Sequence, residues 1–166
     1  MILRELDDGD QVAFDRAIAE FAVSDPSWPF AFGYAPGGDF RAFVARMRQM
    51  RDGIDLPANR VASTYLVALE GERIVGRASI RHELNADLLE RGGHIGFGVV
   101  PSARRRGVAT EILRRSLELA HSLGIARVLV TCDEDNVGSR TTIEHAGGHL
   151  EDIRDHSEGR VRRYWL

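Results

Sequence analysis

Apolar residues along this chain recur in two rhythms, one at helical spacing and one in alternating or short unbroken runs. The first predicts amphipathic helices and the second predicts strands. Residues 2–6 alternate weakly and predict a short opening strand. Asp8 or Asp10 is positioned to cap a helix reaching about residue 23, with Val12, Phe14, Ala17, Ile18 and Phe21 on one side. Residues 24–38, rich in Pro, Gly and aromatics, read as a loop. Asp39 then caps a helix to residue 51 that lines up Phe40, Phe43, Val44 and Met47. After a loop through Pro57 and Asn59, residues 61–69 and 74–80 form strands, and Glu70-Gly71-Glu72 turns one into the other. Residues 82–93 connect onward, with a helical turn at 86–90. Residues 94–100 are nearly all apolar or glycine, as in a central strand. The long helix that follows, ending at Gly124, places Ile112, Leu113, Leu117, Ala120 and Leu123 inward and Arg114, Arg115 and Glu118 outward. A strand at 128–131, a helix at 136–146 and strands at 149–154 and 160–166 complete the chain. The fold class is therefore mixed α/β, with helices around a largely antiparallel sheet.

Composition narrows this picture. At 166 residues one domain is expected over residues 1–166. A net charge of −3 gives no reason to expect nucleic acid. No apolar stretch approaches the ~20 residues that span a bilayer. Asp7, Asp8 and Asp10 interrupt any signal-peptide pattern, and Cys132 has no second cysteine to pair with. A cytoplasmic protein is the expectation. All 22 basic residues are Arg, which removes Schiff-base chemistry and the lysine-bearing phosphate loop.

The most informative segment is Arg104-Arg105-Arg106-Gly107-Val108-Ala109-Thr110. It follows a strand ending in Val99-Val100-Pro101 and opens the long helix. Such a junction leaves backbone N–H groups unpaired, and the helix dipole favours an anion there. Gly107 lets main chain approach a ligand without a Cβ. Cations at a helix N-terminus oppose the dipole by roughly 0.3–1 kcal/mol each when exposed. Three arginines there make better sense if an anion occupies the site. The alternative is a solvated basic patch.

The pattern Arg-x-x-Gly-x-Ala after a Val-x-Pro strand end resembles the acyl-CoA signature of the GNAT superfamily of N-acetyltransferases. The resemblance runs in order from about Arg73 to the C-terminus: hairpin, strand, long helix, strand, Asn136-x-x-Ser139 helix start and Gly147-Gly148 break. It implies a sheet of about seven strands flanked by about four helices, with acetyl-CoA (coenzyme A) as cosubstrate and no metal. The pyrophosphate would lie on Arg104, Arg105, Arg106, Gly107, Val108, Ala109 and Thr110, and the pantetheine along Gly98, Val99 and Val100. Asn136 and Ser139 would contact the cofactor arm, although both are also ordinary helix-cap residues. The acceptor would be a primary amine of a small molecule or peptide, and the connection between the first two helices, with Trp28, Phe30, Phe32 and Tyr34, would border it. That aromatic loop equally suits a cover for the core or a homodimer contact.

Two departures from the family pattern stand out. The Tyr that follows the Asn by seven residues is here Ile143, and the usual Gly-Phe is Gly147-Gly148. For the base, His94 and Glu83 are the candidates, with Thr131 and Glu134 behind them; each also reads as an ordinary structural or surface residue. Cys132 reads as core filling. Gly93-His-Ile-Gly96-Phe-Gly98 is not a dinucleotide turn, because it lies inside a strand instead of after one. Its glycines predict a bulge that would accept an amide-bearing arm as an extra strand. His82-Glu83 lacks the second His of a zinc helix, and Gly147-Gly148 separates His145 from His149, so no metal site is expected. Two rivals to a transferase remain: a CoA-binding sensor, favoured by Ile143, and a nucleic-acid binder, opposed by the net charge.

Overall fold

The computed structural model describes residues 1–26 and 28–166; Ser27, within the predicted loop 24–38, lies outside the described residues. The strands are β1 (Ile2–Glu5), β2 (Ser63–Glu70), β3 (Arg73–Arg81), β4 (Ile95–Val99), β5 (Leu129–Asp133), β6 (His149–His156) and β7 (Gly159–Trp165). The helices are α1 (Gln11–Ser24), α2 (Phe40–Arg51), α3 (Ala86–Glu90), α4 (Val108–Ser122) and α5 (Val137–His145). One seven-stranded sheet runs in the order β1-β2-β3-β4-β5-β7-β6. Among the described residues only the β4–β5 pair is parallel. The short α3 makes five helices where about four were expected.

Local chemistry explains most boundaries. The first helical turn is capped by Asp7, not by Asp8 or Asp10. Asp7 accepts from the Gly9 N–H at 3.1 Å, and the Asp10 carboxylate accepts from the Asp7 N–H at 2.7 Å, a reciprocal capping box. Arg4 closes the group by pairing with Asp10 at 2.7 Å. Asp39 caps α2 as expected, accepting from the Ala42 N–H at 2.9 Å. α4 buries Val108, Ile112, Leu113, Ser116 and Ala120 along one stripe. Its outer face carries Glu111 ion pairs to Arg114 and Arg115 at 2.8 and 2.6 Å. Exposed pairs of this kind are screened by water and contribute little to stability. Two inward assignments fail: Val12 and Leu123 are 64% and 44% exposed. Each fits the helical period but sits at an end, where no neighbouring element covers it.

The two sheet faces are separated by strand alternation. A Cβ on Gly76 of β3 would meet Ile112 of α4, whereas one on Gly98 of β4 would meet Phe21 of α1. Hence α1 covers one face and α4 the other. α2 joins α1 through an aromatic core in which Phe14 packs against Phe40, Phe43, Tyr34 and Tyr65, with ring centres 5.5–6.2 Å apart. α5 packs beside α4 and on β5. Fully burying a Phe such as Phe14 contributes about 3 kcal/mol at most, so this cluster anchors that layer.

Candidate active site

The site is built where two neighbouring strands part. β4 and β5 share a single registered pair, Ile95↔Val130, beyond which β5 continues with β7 and β4 with β3. Three bonds fasten the closed end of this fork. The His94 N–H donates to the Leu129 carbonyl at 2.7 Å, the Leu129 N–H donates to His94 Nδ1 at 2.9 Å, and the Gly92 N–H donates to Thr131 Oγ1 at 2.9 Å. At the open end, the Val100 N–H donates to the Val75 carbonyl at 3.0 Å. Alternation then turns the amides of Phe97 and Val99 away from β3, into the fork. Consistent with this, the Val99 carbonyl accepts from Arg104 Nε at 2.9 Å.

The bulge expected in β4 is absent. β3 and β4 keep an unbroken register from Gly76↔Val99 to Ile80↔Ile95. The strand glycines make room for side chains instead. A Cβ on Gly98 would lie 2.7 Å from the Trp28 ring, and one on Gly96 would lie 3.1 Å from the Arg81 guanidinium. The opening is a divergence of β4 from β5, and it is Val99, not Gly98 or Val100, whose amide faces it.

At the turn after β4, Pro101–Ala103 forms a short 3-10 turn, and Arg105 (φ 59°) and Gly107 (φ 78°) are both left-handed. This winding leaves the amides of residues 105–110 without a hydrogen-bond acceptor among the described residues. A Cβ on Gly107 would meet nothing within 4 Å. Val108 is buried, Ala109 half-buried and Thr110 exposed. The three arginines differ in employment. Arg104 folds back to the Val99 carbonyl and to Ser24 Oγ (2.9 Å), and Arg106 pairs with Glu70 at 3.0 Å. Arg105 has no partner among the described residues. Across the fork, Asn136 caps α5 by accepting from the Ser139 N–H at 3.0 Å.

The acid–base candidates fall unevenly. His94 is buried beside Trp165, and its Nδ1 is spent on the Leu129 amide. Burial, then the Arg81 charge, holds its pKa below the ordinary 6.5. The unfolded state therefore binds more protons in that range, so this contribution to stability is full above pH ~6.5 and lost as pH falls. His82, also depressed by burial, acts in the same direction. His94→Gln is expected to flatten part of the slope of Tm against pH between 5 and 7; an unchanged slope contradicts this assignment. Glu83 is exposed and lies in a bend two residues past the end of β3. Thr131 is occupied by Gly92, and Glu134 pairs with Arg160 and Arg162 at 2.7 and 3.2 Å. Cys132 is buried and its thiol pushed up to about 11, chiefly by burial. Ile143 points into the core, fully buried, and a Cβ on Gly148 would lie 2.6 Å from its Cγ2. Ile143→Tyr is expected to cost about 1–3 kcal/mol by overpacking, read as a lower Tm, with no gain in turnover; a faster enzyme would contradict this.

Sequence reading missed Arg77, Ser79 and Arg81, which line the α1 side of β3 opposite Gly98 and Gly96. The signal was there: polar residues at every second position of an otherwise apolar strand. The aromatic loop packs inward, with Phe30 buried, Trp28 over Gly98 and the Tyr34 hydroxyl donating to Asp15 at 2.8 Å. Among the described residues no group of three His, Cys, Asp or Glu is arranged to hold a metal, and no helix is long and apolar enough to cross a membrane.

Known proteins share this architecture. The Mycobacterium smegmatis RimJ in complex with CoA-disulfide is 20% identical, with 99% of this chain and 80% of that one covered and a TM-score of 0.73. The ribosomal-protein-S5-alanine acetyltransferase from Vibrio fischeri is 13% identical over 99% and 91%, with a TM-score of 0.70. A GNAT superfamily phosphinothricin acetyltransferase from Sinorhizobium meliloti, in complex with AcCoA, is 14% identical over 99% and 86%, with a TM-score of 0.66. At these identities the likeness is one of fold. No curated protein matches the chain in sequence. The family model for the acetyltransferase (GNAT) domain matches residues 1–149. With that match over most of its length, the chain belongs to the GNAT acetyltransferase family.

Proposed function

We infer that this protein is an acetyl-CoA-dependent N-acetyltransferase acting on a primary amine. The observation that carries the reading is the run of unengaged amides at residues 105–110, beside a left-handed Gly107 with open space above it. That cradle fits a pyrophosphate, since helix-terminal N–H groups and the dipole both favour an anion. Arg105 is free to add charge. Arg104 and Arg106 act at one remove, Arg104 by bracing the Val99 carbonyl and Arg106 by tying the turn to the hairpin. The Val99 amide suits an amide of a pantetheine arm in the fork, with Asn136 and Ser139 on the opposite wall.

Acetyl-CoA supplies an activated acyl thioester. The chain's part is to hold that carbonyl in the fork, where the Phe97 N–H, two residues deeper than Val99, is placed to stabilise a developing oxyanion. Alkyl amines have pKa near ~10.4, so a proton must be removed before attack. Glu83, exposed in the bend just after β3, is assigned that proton, because His94 Nδ1 already accepts a hydrogen bond. With Ile143 in the core, no Tyr stands on α5 to protonate the thiolate. A thiol of pKa about 8.5 leaves with modest help.

A CoA-binding module without turnover is the second reading, favoured by the placement of Ile143. Thiol release from acetyl-CoA against a panel of amines separates the two. Acceptor-dependent release supports the transferase; tight CoA binding with no release from any amine supports the module.

A further inference from the structure

The α1 face of β3 holds two guanidinium groups that the cofactor cradle does not use. Arg77 is 1% exposed and has no carboxylate partner among the described residues. Its guanidinium carbon lies 3.7 Å from the Trp28 ring centre and 4.8 Å from that of Phe32. Nη2 donates to the Pro29 carbonyl at 2.6 Å and Nη1 to Ser79 Oγ at 3.3 Å, while the buried Nε has no acceptor. Two residues beyond Ser79, on the same face, Arg81 lies over Gly96 and donates to the Gly92 carbonyl at 2.9 Å, again with no carboxylate. Burial pushes both guanidinium groups down to about 10, against an ordinary 12.5, and no carboxylate offsets it.

Buried cations normally sit beside an anion, and one without a partner is less stable than an apolar side chain of similar shape. Strand register places this pair next to the fork: Arg77 is paired with Gly98, one residue from Val99. The two positions also flank a serine hydroxyl that can donate. The indole rests directly on the Arg77 guanidinium and over Gly98, so a carboxylate would reach Arg77 by displacing Trp28 and taking the place of the Pro29 carbonyl as its partner.

We propose that Arg77 and Arg81 bind a carboxylate of the acceptor, so that the acetylated amine belongs to a molecule also bearing a carboxylate. This rests on the transferase reading above and specifies its substrate class. Guanidinium–carboxylate pairing in two-pronged geometry gives the discrimination, and Phe32 walls the group from water.

The test compares kcat/KM for an α-amino acid, its amide, its decarboxylated amine and phosphoethanolamine, with acidic and neutral peptides as a further pair. The carboxylate-bearing amine is expected to exceed its amide by about 100-fold or more, because loss of the anion leaves buried donors unpaired. The peptide pair tells a free amino acid from an acidic side chain as the source. Arg77→Met and Arg81→Gln should each erase the preference, mainly by raising KM, while calorimetric CoA affinity stays within about twofold. Arg77→Met should also keep or raise Tm, since an apolar chain replaces an uncompensated charge. If no amine is turned over, thermal stabilisation decides: a Tm rise with millimolar carboxylates, absent with amides and absent in Arg77→Met, upholds the proposal. Equal rates for acid and amide, preference for the phosphate, no stabilisation by any carboxylate, or an Arg77→Met variant that loses Tm yet keeps the preference overturns it. Loss of CoA binding in the wild type instead overturns the transferase reading, and stabilisation by carboxylates still reports on the arginines.

Discussion

Gly107→Glu is expected to weaken CoA binding on the order of 100-fold or more and to reduce kcat/KM for acetyl-CoA in parallel. Two effects add. The residue holds φ at 78°, where a side chain costs about 1–2 kcal/mol. The new carboxylate would also stand among the amides proposed to hold a diphosphate. Two unit charges 4 Å apart interact by about 4 kcal/mol at an effective dielectric of 20, and screening at this exposed turn reduces that. About 3 kcal/mol of combined loss corresponds to roughly 100-fold in Kd. The fold should survive, because a Cβ at residue 107 meets nothing within 4 Å. Gly107→Ala, with the backbone penalty but no charge, should lose about tenfold at most. Calorimetry with CoA reads both variants; equal affinity in wild type and Gly107→Glu contradicts the cradle.

Gly93→Ala carries the largest expected effect on stability. Gly93 is left-handed (φ 60°), and a Cβ there would overlap the Leu129 carbonyl oxygen and lie 3.3 Å from the Val130 Cα. Those atoms are backbone of β5, so no side chain can swing aside. The adjoining His94–Leu129 bonds are what hold β4 to β5 at the base of the fork. Overpacking and the left-handed penalty together give about 2–5 kcal/mol. At roughly 2–4 °C per kcal/mol for a chain of this size, Tm should drop by about 10 °C. Acetyl-CoA turnover should fall as well, because the fork widens from its base. A Tm within about 2 °C of wild type would show that the strands separate without cost at this point.

Much of this architecture could be read in the residues alone. The α2 stripe of Phe40, Phe43, Val44 and Met47 and its Asp39 cap are local features, and both appear where spacing and capping chemistry place them. So does the turn at residues 101–110, where a proline, a glycine and a helix start occur together. What could not be read depends on which strands meet. Gly96 and Gly98 suggested a bulge because sequence does not show that Arg81 and Trp28 lie over them. His94 suggested a base because nothing local reveals that Leu129 occupies its Nδ1. Arg77 shows in the sequence only as one of the alternate polar positions of β3; its setting against Gly98 and under the aromatic loop depends on register. The parting of β4 from β5, on which the site depends, arises from pairing among four strands and leaves no mark on any one of them.

The proposal that the turn after β4 grips a diphosphate is tested most directly by amide chemical shifts. In a ¹⁵N–¹H titration with CoA, the Gly107, Val108 and Ala109 signals should move far downfield and exchange more slowly with solvent. Pantetheine, which lacks the diphosphate, should leave them in place. Unmoved signals at residues 105–110 with saturating CoA, or equal movement with pantetheine, would contradict it.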